Sequence, residues 1–363
     1  MQMEQTDLKA AADRVYRYLM FSSPESWGGH EWAEWAMERN RWDWNPGVGL
    51  IAAADYGAFC GAEGMIQAVE VWTEQNIGGS EKIKVINSLA PYAIFPLLFR
   101  QTGNRFYKDK AEEMALWLIK EAPRTRNGAF EHTVTESATF SEQVWADTVF
   151  MAILFLARTA RLTGSKVLAE EAMNQTLLHL QTLQDEETGM LFHGWNGETG
   201  DWMSAARWNR ANAWIAVGVP MTAEEAGELC GDMKLISELR ERYSRLAEAL
   251  VRCQNESGLW PTVLDRPHFY EETSGSAGIA CGLYKAARAG WIPAELALTS
   301  ADRAVAAVLT QVREDGAVLG VSGGTPVLGS VEAYDHVPTF PTLYGQGLVL
   351  LLFVEKLRMI ASA

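Results

Sequence analysis

A chain of 363 residues, 48 % hydrophobic and 21 % charged, has material for a sizeable core in one large domain or two ordinary ones. Its formal charge of −15, with no Lys/Arg cluster, argues against nucleic acid and anionic membrane as partners, and an anionic small ligand would need a locally held cation, which singles out Arg207 and Arg210. No apolar run approaches the roughly 20 residues that span a bilayer, Met1–Ala10 lacks the basic and apolar regions of a signal peptide, and Cys60, Cys230, Cys253 and Cys281 are scattered without metal-type spacing, so a soluble cytoplasmic protein is expected.

Apolar residues recur at three- and four-residue steps and predict helices at about 5–20, 46–60, 62–76, 83–101, 104–121, 141–162, 164–183, 206–219, 233–254, 273–289, 297–313 and 342–359. Gly103-Asn104, Gly164-Ser165 and Gly290 mark stops, and the short joints make antiparallel neighbours. The long connections, 122–140, 184–205, 255–272 and 314–341, fall on alternate joints and carry aromatic, His and turn residues. One end of a helical array is then plain and the other elaborated, which is where sites are built. With no strands expected, no linker and no fixed repeat period, the architecture that fits is an all-α (α/α)6 barrel, a toroid of six hairpins, formed as a single domain over 1–363.

The segment Ser141–Met151 places one carboxylate, Asp147, near the start of an apolar helical run, which suits acid/base work; a plain first-turn acid favoured by the helix dipole is the simpler alternative. Tryptophans crowd two short stretches, Trp27, Trp32, Trp35, Trp42 and Trp44, then Trp195, Trp202, Trp208 and Trp214, and aromatic faces in Gly- and Asn-rich loops match sugar rings. His132 and His193 lie in the long loops. No two histidines have helical metal spacing, and neither a phosphate-binding Gly loop nor a nucleophile elbow is present, so no metal and no cofactor are expected.

These residues resemble the unsaturated rhamnogalacturonyl hydrolases of glycoside hydrolase family 105. The resemblance rests on Gln143–Met151, Gly189–Trp195, Arg207–Trp214, Gly258–Pro261 and Glu271–Ala277, and runs from about Trp44 to Gly347. It implies an (α/α)6 barrel that removes a 4,5-unsaturated uronic acid, Δ-galacturonyl or Δ-glucuronyl, from the non-reducing end of lyase-generated oligosaccharides by hydrating the double bond. By the same resemblance Asp147 is the proton donor and then activates water, and such a donor needs a raised pKa. Arg210 would bind the uronate carboxylate or a substrate oxygen. Trp208 and Trp214 would wall the sugar site, with Trp44 near its mouth. His132, His193 and Gln143 would contact substrate or water. Asn87 stands where the family carries a second aspartate, and Thr133 stands where a basic residue is expected; both differences bear on the substrate more than on the reaction. A monomer or weak homo-oligomer is expected.

Two other readings remain open at this stage. A sugar isomerase or epimerase on the same barrel would use His132 and His193 as proton-transfer bases, and a non-catalytic glycan-binding protein would need no ionisable partner at Asn87.

Overall fold

The computed structural model describes residues 5–81, 83–136 and 139–361. In chain order its helices are α1 (Gln5–Phe21), α2 (Ala33–Met37), α3 (Trp44–Cys60), α4 (Glu63–Asn76), α5 (Phe95–Thr102), α6 (Arg105–Lys120), α7 (Leu154–Thr163), α8 (Lys166–Leu183), α9 (Asn209–Ala226), α10 (Met233–Arg252), α11 (Thr273–Arg288), α12 (Ala294–Thr310) and α13 (Leu343–Ala361). An inner ring runs α3, α5 with the 3-10 segment Asn87–Ile94 before it, α7, α9, α11 and α13, and closes where α13 packs on α3. Helices α1, α4, α6, α8, α10 and α12 pack outside it. This is the expected (α/α)6 barrel.

Burial separates the two rings. In α9 every residue from Asn209 to Thr222 is buried, whereas α10 buries a stripe at Ile236, Leu239, Tyr243, Leu246 and Leu250 and leaves its other face polar. Small residues let the inner helices approach closely; Gly278 of α11 faces Ala213 of α9. Asp43, Asn104, Ser165, Asp232 and Glu272 cap α3, α6, α8, α10 and α11 through their side chains. Gly103 and Gly164 end their helices in the left-handed conformation.

Three expectations are corrected. Residues 87–94 form a 3-10 segment, not the first half of an α-helix, with Pro91 inside it and unable to donate an amide. The helix expected from 141 begins later: Gln143–Trp145 is a strand, β1, paired antiparallel with β2 (Gly194–Asn196), and Val149–Ile153 is a π-helical turn leading into α7. A short helix, α2, lies in the Trp-rich segment where none was expected.

The outer helices α6, α8, α10 and α12 each end in a similar turn. Backbone bonds run from Thr125 N–H to Ala129, Asp185 to Met190, Asn255 to Leu259 and Arg313 to Ala317, each turn carrying a glycine at positive φ: Gly128, Gly189, Gly258 and Gly316. Three of these glycines rest on the backbone of the next outer helix, Gly189 at Arg245, Gly258 at Arg303 and Gly316 at Arg14 of α1, so the last turn closes the ring. The loops between the turns differ in length, which is why no sequence period shows. At Gly316 φ is 96° and a Cβ would stand 2.1 Å from the Arg14 carbonyl oxygen. Gly316→Ala should therefore cost on the order of 2–3 kcal/mol, seen as a lower urea midpoint with unchanged slope; an unchanged midpoint would remove this turn from ring closure.

Candidate active site

At the loop end of the barrel a cavity of about 490 Å³ opens between the N-terminal Trp-rich segment, the 122–140 connection and the Gly324–Pro326 loop. Asp147, Asn87, His132, Trp44, Trp208 and Arg210 all line it, and its mouth carries Arg41 and Glu136. The ribbon β1–β2 explains how residues far apart in sequence meet. Trp145 pairs with Gly194, and the Ala146 N–H donates to the His193 carbonyl, bringing the peptide of His193 beside the start of the Asp147 helix. Across the other side, the His193 N–H donates to Ala206, just before Trp208.

His193 Nε2 lies 3.4 Å from Asp147 Oδ2. The two atoms face each other without a close, well-aligned hydrogen bond and have no other partner, and the buried Oδ1 of Asn87 has none either. Asp147 and Asn87 line the cavity and His193 adjoins Asp147, so these polar atoms are placed to meet a ligand. Aromatic rings enclose the carboxyl. His132 stacks on Trp145 at 4.6 Å, His193 lies over Trp208 at 4.3 Å, and Trp44 stacks on Tyr344 at 5.0 Å. His132 Nδ1 is bonded to the Thr148 hydroxyl at 3.0 Å.

The electrostatics differ from expectation. Burial pushes the Asp147 carboxyl up, but the His193 contact and the charges of His193, His132 and Arg210 outweigh it and hold the carboxyl below the ordinary carboxylate range. Burial drives both imidazoles down, His132 to about 4 and His193 below its usual value. Burial thus disfavours the charged form of both rings, and the standing charge beside Asp147 is the Arg210 guanidinium.

Arg210 is placed at the cavity but its hydrogen-bonding ends are engaged elsewhere. Nη1 donates to the Ser322 carbonyl and hydroxyl, Nη2 donates to the Gly323 carbonyl at 2.8 Å, and Glu272 lies 3.6 Å away. The guanidinium lies over Trp208 and Tyr344, at 4.4 and 4.6 Å from their ring centres. It braces the 322–325 loop and supplies charge beside the cavity.

Two expected contacts do not line the cavity. Trp214 is wholly buried in the core beside Phe150, at 5.1 Å. Gln143 uses its side-chain oxygen to accept the Trp145 indole N–H at 2.9 Å, which holds that ring in place. Of the two Trp clusters, Trp32, Trp35, Trp44 and Trp208 face the cavity. Trp27 and Trp42 are core residues bonded to Ser22 and the Ser88 carbonyl, while Trp195 and Trp202 pack edge to face in a separate groove. Thr133 braces the Asn87 turn, its hydroxyl accepting from Ile86 N–H and its carbonyl from Asn87 N–H. Tyr334, Tyr344 and Glu272 were not foreseen, because nothing in their local sequence shows that they turn toward the site. Residues 137–138 of the flanking loop lie outside the described residues.

The family model for Glycosyl Hydrolase Family 88 matches residues 11–360. The chain is 33 % identical over 320 residues to the unsaturated rhamnogalacturonyl hydrolase YesR of Bacillus subtilis, covering 87 % of this chain and 90 % of that protein. A crystal structure from Salmonella enterica, described as a possible GH105 family member, superposes with a TM-score of 0.89 at 30 % identity, covering 99 % of this chain and 96 % of that one. The Clostridium acetobutylicum family 105 glycoside hydrolase shares the fold, with a TM-score of 0.80 at 21 % identity over 96 % of this chain and 98 % of that one. A family match along almost the whole chain, and a curated relative aligned over nearly nine-tenths of it, establish that this protein is a glycoside hydrolase belonging to glycosyl hydrolase family 88.

Proposed function

We propose that this enzyme removes a 4,5-unsaturated uronic acid from the non-reducing end of an oligosaccharide left by a polysaccharide lyase. The observation that carries the reading is the pair Asp147 Oδ2 and His193 Nε2, buried, unpartnered and 3.4 Å apart at an aromatic-walled cavity. The Asp147 carboxyl gives its proton to C4, and the double-bond electrons leave a cation shared between C5 and the ring oxygen. Water adds at C5 and returns a proton to the Asp147 carboxylate. The C5 hemiketal opens by breaking its bond to the ring oxygen, and the hemiacetal then formed at C1 releases the aglycone sugar.

The faces of Trp44 and Trp208 offer apolar surface to the sugar, and His132 and His193 supply ring nitrogens at its edge. Arg210 draws the uronate by charge alone, with Arg41 at the mouth as a second cation. Asn87 holds a hydroxyl or a water through its free Oδ1. An anionic substrate also brings a like charge to Asp147, which raises the carboxyl toward its working range.

The reaction needs no cofactor. The free cysteines fit a reducing compartment, and among the described residues no helix is long and apolar enough to cross a membrane. We place the enzyme in the cytoplasm, with one catalytic domain, as a monomer or weak homo-oligomer. The test is the ultraviolet absorbance of the double bond in lyase products from pectic and glucuronic-acid-containing polymers. Decay with one class names the uronic acid; flat traces with all of them, from folded enzyme, would overturn the proposal.

A further inference from the structure

The hydrogen-bond chain behind His193 carries one inference more. Tyr334 lies in the short 3-10 turn Glu332–His336 of the last long connection and is wholly buried. Its hydroxyl oxygen accepts the Leu328 N–H at 3.1 Å and lies 2.7 Å from His193 Nδ1. A phenol has one hydrogen to donate. Leu328 N–H is itself a donor, and the nearby buried Ser204 hydroxyl makes no hydrogen bond, so among the described residues His193 Nδ1 is the acceptor within hydrogen-bond distance of this hydroxyl. If Nδ1 carried the ring proton instead, two N–H groups would point at the phenol oxygen and the phenol hydrogen would have to leave its 2.7 Å partner, which is unfavourable for a buried donor. Burial pushes the Tyr334 phenol up to about 12, so it keeps that hydrogen.

We propose that Tyr334 is a positioning residue: by donating to Nδ1 it locks neutral His193 in the Nε2–H tautomer, with that N–H turned toward Asp147. This rests on Asp147 being the proton donor. The consequence concerns where the acid proton goes. With Nε2 bare, the imidazole would accept the O–H of protonated Asp147 and compete with C4 of the sugar. With Nε2 already carrying hydrogen, the imidazole can only donate to Asp147, and the acid proton stays available. The groups facing His193 are Asp147 at Nε2, Tyr334 at Nδ1, the rings of Trp145 and Trp208 and the charge of Arg210.

The test begins with nitrogen-15 NMR of the resting full-length enzyme labelled at histidine, which reads the tautomer without turnover. The wild type should show Nε2–H at His193, assigned by loss of the signal in His193→Gln; an Nδ1–H signature would overturn the proposal even if Tyr334→Phe failed to fold. In Tyr334→Phe the lock is gone. His193 should then show a mixture of tautomers and bind a proton at higher pH, and kcat should fall about tenfold with KM little changed. A variant with lower thermal stability but unchanged His193 signals and kcat would show a packing role only and overturn the proposal. If Asp147→Asn keeps full activity while the Nε2–H signature is present, the reading of Asp147 fails and the tautomer assignment stands.

Discussion

Asp147→Asn should lower kcat/KM for an unsaturated oligosaccharide by about 10³–10⁴-fold, the range expected when a positioned general acid is lost. The amide has nearly the shape of the carboxyl, so the barrel should fold normally and KM should change little. A variant within tenfold of wild type would remove Asp147 from proton transfer. The pH profile gives an independent check, with its sign set by the site. Asp147 is held below the ordinary carboxylate range by His193, His132 and Arg210 against the opposing effect of burial. Above its pKa the protonated fraction falls tenfold for each pH unit, so kcat/KM should decline as pH rises from about 5 to about 8. A profile that climbs over that interval would mean that Asp147 works only as a base.

The second large effect concerns stability. Glu272 is fully buried, caps α11 through Ser274 N–H and Gly275 N–H, accepts the Ser322 N–H at 2.9 Å and faces Arg210 at 3.6 Å. Glu272→Ala removes a cap and leaves the Arg210 cation buried without its counter-charge. Breaking a buried pair from one side costs about 3–5 kcal/mol, and chemical denaturation should show a loss of that size. Activity should fall as well, because Arg210 braces the 322–325 loop beside the cavity. The double variant Glu272→Met with Arg210→Met should lose less stability than Glu272→Ala, since no unpaired charge remains. Equal losses would show that the cap, and not the charge pair, dominates.

The two effects also separate what the sequence could show from what it could not. The 3.6-residue recurrence of apolar positions is a local property, so most of the barrel helices and the alternation of short and long joints were legible directly. Asp147 and His193 were legible too, because each sits in a compact motif, and the structure brings both to the cavity region with Asn87, His132, Trp44, Trp208 and Arg210. The helix expected at 141–162 was misplaced at its start because Gln143–Trp145 pairs with a strand some fifty residues later, and that pairing overrides the local helical pattern.

What a side chain faces depends on partners that sequence separation conceals. The partners of Arg210 were not legible, because Ser322 and Gly323, more than a hundred positions on, take its donors. Trp214 and Trp208 lie six residues apart on similar sequence, yet the helix turns the first into the core and the second, just before the helix, toward the cavity. The pKa of Asp147 moved down where a raised value was expected, since the aromatic setting visible in its own segment was outweighed by His193 and by Arg210, which the packing of α9 against α7 and the π-helical turn before it brings near. Tyr334 meets His193 across 141 residues. By itself, then, the sequence determined most of the helices, the elaborated end and the place of the Asp147 carboxyl, because short-range periodicity and compact motifs encode them. Only the tertiary structure decided the electrostatic setting of that carboxyl, the faces of the tryptophans and the partners of Arg210 and His193, because electrostatics and packing act through space between residues that the chain keeps far apart.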